Sequence, residues 1–211
     1  MKNVILILVS VIFILSSCIK DPEDPVIQES VLDYYPLSVG NYWVYQRSFC
    51  DSTWNHCDSL LTDTSKVVKD TVINNHTYYK VVVFPEIGPK YATYLRDSLD
   101  YIVTSKGNII LSSTDFETIL KENYEIINGD TIYYYFAKMH QDTAPFETPA
   151  GSFNCLDYRI SLYVKSDNFE KEYQIHHRFA KYVGPVFNQN MFLFSHGGYK
   201  LELIDYHVNQ K

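Results

Sequence analysis

Methionine and tryptophan are scarce, three and two residues among 211, and basic side chains are in deficit. Eighteen Lys and Arg stand against 25 Asp and Glu, a formal charge of −7, which repels polyanions and excludes a nucleic-acid binder of the basic type. No Gly-x-Gly occurs, so no glycine-rich cradle for a dinucleotide or a nucleoside phosphate can be argued. His-Glu-x-x-His and Gly-x-Ser-x-Gly are also missing, and with them the commonest zinc-hydrolase and serine-hydrolase signatures. No internal repeat or low-complexity tract appears. What the chain does have is 46% hydrophobic residues, enough to exclude disorder, with 19 Tyr and 12 Phe, a balance that favours strands over helices.

The hydrophobic pattern is that of antiparallel β structure. In Leu156–Lys165, Leu156, Tyr158, Ile160, Leu162 and Val164 share one face; Asp157, Arg159, Ser161, Tyr163 and Lys165 share the other. Such alternation predicts a strand with one apolar and one solvated face. Tyr173, Ile175, His177 and Phe179 alternate in the same way with Gln174, His176 and Arg178. Near the C-terminus the apolar phase slips between Leu203 and Ile204, which predicts a bulge or a strong bend. Asn74-Asn75-His76, Lys106-Gly107-Asn108 and Asn128-Gly129-Asp130 separate three pairs of strand-like runs and predict three hairpins in series, a meander. One helix is expected, two turns between Asp115 and Glu122, opened by the capping box Thr114-Asp115-Phe116-Glu117. The fold class expected is all-β: a strongly curved antiparallel sheet or open barrel, with this one short helix.

The N-terminus is organised differently. Lys2 precedes Val4 to Leu15, twelve residues apolar except for Ser10, too short to span a bilayer and of the length of a secretory signal's core. Leu15-Ser16-Ser17-Cys18 follows directly and resembles the lipobox of bacterial lipoproteins. That resemblance implies cleavage before Cys18 and acylation of its thiol and new amino group; two or more acyl chains anchor a protein durably, whereas one does so only marginally. Ile19-Lys20-Asp21-Pro22-Glu23-Asp24-Pro25 is charged and proline-rich, a solvated tether. A lysine followed by acidic residues at this place also resembles the export signal of Bacteroidetes surface lipoproteins. The division expected is a signal peptide over 1–17, a tether over 18–30 and one all-β domain over 31–211. The localisation implied is the outer membrane of a Gram-negative bacterium, facing either the periplasm or the cell surface.

Three cysteines remain. Cys50 and Cys57 flank six turn-forming residues and, outside the cytosol, are expected to form a disulfide. Reading Cys50, His56 and Cys57 as metal ligands leaves no clear fourth donor, so no metal is expected. Cys155 heads a strand and reads as a small buried hydrophobe rather than a nucleophile.

Three further stretches resemble a family. Tyr35-Pro36-Leu37-Ser38-Val39-Gly40-Asn41-Tyr42-Trp43-Val44-Tyr45 is similar to the opening "YPL-x-x-G-N-x-W-x-Y" of uncharacterised lipoproteins of Bacteroidetes. Thr148-Pro149-Ala150-Gly151-Ser152-Phe153-Asn154-Cys155 resembles their mid-chain turn into a strand, and Phe179-Ala180-Lys181-Tyr182-Val183-Gly184-Pro185-Val186 their late "Y-A-x-x-V-G-x-V" segment, with Pro185 and Phe179 as departures. The resemblance implies a curved, LolA-like antiparallel sheet and carries no established activity. Read physically, Pro36 and Gly40, Pro149-Ala150-Gly151 and Gly184-Pro185 are tight corners.

Candidate chemistry is sparse. His176 and His177 are adjacent, so in a strand they point to opposite faces and do not readily share a metal. His177 shares the apolar phase and reads as a hydrogen-bonded core histidine. Ser195-His196-Gly197-Gly198 is a glycine-rich loop whose Ser-His pair lacks a visible third partner. No catalytic residue and no cofactor is assigned. Tyr133-Tyr134-Tyr135-Phe136 puts rings on both faces of one strand. Either these tyrosines simply cap sheet edges, or the sheet curls to make a second apolar pocket, or one face offers rings to a partner. The role expected is a non-enzymatic, membrane-anchored module that binds a small apolar or glycan ligand or a protein partner; a glycan-acting hydrolase and a structural envelope component are the alternatives.

Overall fold

The structure, a computed structural model, describes residues 29–127, 130–166, 169–192 and 197–209. Cys18 and the tether up to residue 28 lie outside the described residues, as do Asn128, Gly129, Ser195 and His196. One turn of helix, α1 (Val31–Tyr34), precedes fourteen strands. The first six are β1 (Tyr42–Cys50), β2 (Cys57–Ile73), β3 (His76–Phe84), β4 (Tyr91–Ser98), β5 (Tyr101–Thr104) and β6 (Ile109–Ser112). Then come β7 (Lys121–Ile127), β8 (Asp130–Gln141), β9 (Phe146–Thr148), β10 (Gly151–Phe153), β11 (Cys155–Ser166), β12 (Phe169–Ala180), β13 (Gly184–Met191) and β14 (Gly198–His207). Twelve form one antiparallel sheet in the order β6-β5-β4-β3-β2-β1-β14-β13-β12-β11-β8-β7, curled into a nearly closed barrel; β9 and β10 form a separate small hairpin. The all-β class and the strong curvature expected from the sequence are both found.

Local chemistry accounts for the connections. Asn74 and Asn75 have φ of 50° and 61° and join β2 to β3 as a two-residue turn with Ile73 opposite His76, the double positive φ of a type I′ hairpin. The predicted phase slip is a bulge: Val44 pairs with Asp205 and Tyr45 with Leu203, which leaves Ile204 unopposed on β14. Ala150 N–H donates to the Leu203 carbonyl there (3.0 Å), tying the β9–β10 hairpin to the barrel.

Two expectations need correction. The three hairpins do not make one meander. β6 and β7 are consecutive in sequence yet lie at opposite edges of the sheet, because β1 and β14 pair and join two half-sheets. The predicted helix over 115–122 is also absent. Asp115 Oδ1 does accept from the N–H groups of Glu117 (3.2 Å) and Thr118 (2.9 Å), but Leu120 N–H bonds to the Ala137 carbonyl (2.9 Å) and β7 starts at Lys121. Two isolated turns of helix are too short to sustain themselves, and pairing with β8 supplies the backbone partners instead. The residues 113–120 carry the chain from one sheet edge to the other, and Phe116 and Leu120 pack against the core.

The barrel is closed at one end by the residues between α1 and β1. Trp43 is fully buried, and its Nε1–H donates to the Val183 carbonyl at 2.7 Å. Tyr35 packs edge-on against Trp43 (centroids 5.6 Å) and against Phe179 (5.9 Å). Asn41, also fully buried, donates to the Pro36 carbonyl (2.8 Å) and accepts from Asn209 N–H (3.0 Å). Gly184 sits at φ +105°, and a Cβ there would lie 2.8 Å from Trp43 Nε1. Backbone strain and steric overlap therefore act together at this corner. Gly184→Ala is expected to lower the free energy of unfolding by on the order of 1–3 kcal/mol. Urea denaturation of the two proteins checks it.

Candidate functional site

Curling the sheet separates two sets of side chains. Residues on the concave side enclose a cavity of about 460 Å³, within the range of small-molecule sites. Val81 and Val83 of β3, Leu95 of β4, Ile160 of β11 and Leu201 of β14 give it apolar walls. Tyr35, Tyr45, Tyr158 and Phe179 add rings. Tyr158, Ile160 and Phe179 come from the apolar phase of β11 and β12, so the alternation legible in the sequence builds that part of the wall directly. Burial holds the phenols of Tyr35, Tyr45 and Tyr158 well above the ordinary tyrosine range, and they stay neutral. Tyr45 Oη–H is satisfied by the Pro185 carbonyl (2.9 Å).

Polar groups are interspersed in the wall, Thr104, Asn108 and Lys121 among them. Ser65 and Thr93 lie on β2 and β4; His177, Asn188 and Asn190 form a strip on β12 and β13. His177 and Asn188 are cross-strand partners, with Asn188 Nδ2 2.7 Å from His177 Nδ1, and Asn190 Nδ2 donates to Asn188 Oδ1. Asp63 is the one carboxylate among the lining residues, and it is engaged: Arg47 lies 3.2 Å away and Glu86 N–H donates to it. A smaller space of about 200 Å³ beside Arg47 shares Asp63, Tyr91, Tyr199 and Leu201 with the main cavity. Two cooperating carboxylates, which glycosidic cleavage needs, do not meet in this wall.

The convex side carries charge. Asp157, expected on the solvated face of its strand, is instead fully buried. Its Oδ2 accepts from His176 Nδ1 (2.8 Å) and Arg159 Nε (3.0 Å). Burial alone would raise the Asp157 carboxyl; the His176 hydrogen bond and the neighbouring cations outweigh it and hold the group below the usual range. Arg178 pairs with Asp142 (2.7 Å) and lies over the Phe146 ring at 4.4 Å, so the hairpin of β9 and β10 lies against this side. The face is covered, and that is why alternation misjudged it. His176 and His177 do point to opposite faces, one to Asp157 and one into the cavity.

Other candidate residues resolve into packing roles. Cys50 and Cys57 are joined by a disulfide at the end of the β1–β2 hairpin. Gly197 and Gly198 are there for space: a Cβ would lie 2.2 Å from the Cys50 carbonyl at the first and 2.1 Å from the Asn190 carbonyl at the second. Cys155 is buried, and burial pushes its thiol up to about 12, far from a nucleophile's range. Of the aromatic run, Tyr135 is stacked with Tyr133 and lies under Lys121, a lining residue, while Tyr134 and Phe136 group with Tyr163 on the other face. Among the described residues no group of three or more His, Cys, Asp or Glu could hold a metal, and no helix is long and apolar enough to cross a membrane. Sequence reasoning missed Asp63, Arg47, Asn188 and Asn190. Asn188-Gln189-Asn190 is polar on both phases, and no periodicity marks it as part of a cavity wall.

Burial pushes the His177 imidazole down to about 4, with His176 and Lys121 adding repulsion and Asp157 opposing. The native state therefore disfavours the proton that the unfolded chain takes up near the ordinary value of about 6.5. Stability is complete above pH 6.5 and falls as pH drops from there towards 4, by on the order of 3 kcal/mol. Urea midpoints across this window are expected to show the slope in the wild type and a shallower one in His177→Asn, where His140, also held down by burial, remains.

No protein-family model matches the chain, and no curated protein matches it in sequence. In structure the chain is similar to a candidate lipoprotein of Parabacteroides distasonis, at 13% identity and a TM-score of 0.52 over 85% of this chain and 100% of that one. It is also similar to a candidate exported protein of Bacteroides fragilis with a YmcC-like fold, at 9% identity and a TM-score of 0.49 over 81% and 96%. The first likeness places this barrel among known folds.

Proposed function

We propose that this chain is a lipid-anchored, non-enzymatic binding module of a bacterial envelope that holds a small apolar ligand inside its barrel. The cavity carries this reading: about 460 Å³ of half-open space between aliphatic and aromatic walls, with no second carboxylate among the described lining residues to make a hydrolytic pair. The lipobox-like Leu15-Ser16-Ser17-Cys18 supports the anchor, and the fold shared with a candidate lipoprotein is compatible with it. Glu29, the first of the described residues, pairs its carboxylate with Lys181 (2.7 Å). In this reading the membrane partner is reached through Cys18 alone and the outer membrane is the site of action.

Two measurements test the two halves. Cells fed radioactive palmitate are expected to label the wild-type chain and to leave Cys18→Ser unlabelled. A wild type that takes up no label removes the anchor. Native mass spectrometry of the domain from its own envelope is expected to show a co-purifying small organic molecule. A clean, unliganded monomer would speak against the binding module.

A further inference from the structure

The polar strip inside the cavity runs in one direction. Asn190 Nδ2 donates to Asn188 Oδ1, which orients the Asn188 amide and leaves its Nδ2 facing His177 Nδ1 at 2.7 Å. With the Asn188 amide in this orientation its nitrogen donates, and His177 Nδ1 is assigned as the lone-pair nitrogen. A neutral imidazole has one N–H, and here it is on Nε2. The ring stays neutral at physiological pH, because burial holds its pKa down at about 4 and because a proton on Nδ1 would face the Asn188 N–H.

Nε2–H has no hydrogen-bond partner among the described residues, and it is not one of the sealed, unsatisfied atoms of the interior. His177 lines the cavity, beside Tyr158, whose ring meets it edge-on at 6.0 Å. Ser65, Thr93, Thr104 and Asn108 add further polar groups to the wall, and Nε2–H of His177 is the donor that the Asn188 contact orients. Of the charged side chains of the wall, Asp63 is paired with Arg47, and Lys121 lies 5.5 Å from the centroid of the Tyr135 ring.

We infer that the occupant of the barrel is an uncharged, mostly apolar molecule carrying a carbonyl oxygen, and that this oxygen accepts the hydrogen bond from His177 Nε2–H. The inference rests on the binding reading above and specifies the chemistry of its ligand. An anionic head group fits poorly. It would draw a proton onto His177, which would set N–H against N–H at Asn188 and cost a buried hydrogen bond. A pure hydrocarbon leaves Nε2–H unpaired when it displaces cavity water, and that loss is the basis of discrimination.

The test uses 2-octanone and nonane, which have equal numbers of heavy atoms, as competitors of a fluorescent naphthylamine bound to the folded domain. Nitrogen-15 spectra of the wild-type histidine rings give the tautomer independently. The expected results are a protonated Nε2 and bare Nδ1 at His177, and a ketone affinity that drops about tenfold in His177→Phe while that of nonane holds, one net hydrogen bond's worth. His177→Gln, which keeps an N–H donor, is expected to recover most of the loss. A proton found on Nδ1 overturns the inference, whatever the variants do. So does binding of both probes with no selective loss at position 177, and in that case the binding module itself stands. If neither probe nor the naphthylamine enters the wild-type cavity, the binding reading falls and takes this inference with it.

Discussion

The contact between Trp43 and the Val183-Gly184 corner is what the remainder of the barrel depends on. Trp43 belongs to β1, the corner leads into β13, and β14 lies between them, so the indole reaches across a strand. Its N–H satisfies a carbonyl that would otherwise be buried without a donor, and its ring occupies the place where any residue but glycine would put a Cβ. Tyr35 and Phe179 pack against the same indole and close this end of the barrel. The Trp43 indole and the Asn41 amide have their hydrogen bonds met at this end.

Curvature then decides the fate of every side chain. A flat sheet of this composition would have one core face and one wet face. Curled, it gives the two faces different surroundings. The concave side gathers aliphatic and aromatic residues around a space too large for them to fill. The convex side is partly covered by a small hairpin, and a charge cluster around Asp157 seats it: Arg178 pairs with Asp142 and carries the Phe146 ring. Bulges such as the one at Ile204 increase local twist, and the Leu203 carbonyl there holds the hairpin by its backbone.

The two sides also explain why adjacent histidines have unrelated environments. His176 bonds to a fully buried carboxylate; His177, one residue on, is kept neutral among phenyl and phenol rings. In a strand, a single step along the chain exchanges one environment for the other.

Much of the fold was legible in the chain. Strand alternation, the Asn74-Asn75 turn and the phase slip at Leu203 are local consequences of side-chain geometry and backbone φ, so sequence alone determined them. The helix expected over 115–122 failed because its backbone groups had better partners in β8, a strand that local propensity cannot see. Asp157 was placed in solvent because alternation reports which face a residue is on, never what covers that face. The candidate site was the least legible part. Val81, Leu95, Ile160 and Leu201 announce an apolar face, but only closure of the sheet turns that face into a cavity, and only the pairing of β12 with β13 sets Asn188 against His177 and leaves one N–H without a partner. Hydrophobic periodicity is a property of neighbours in the chain; an enclosed volume and a directed hydrogen bond are properties of residues that tertiary structure alone brings together.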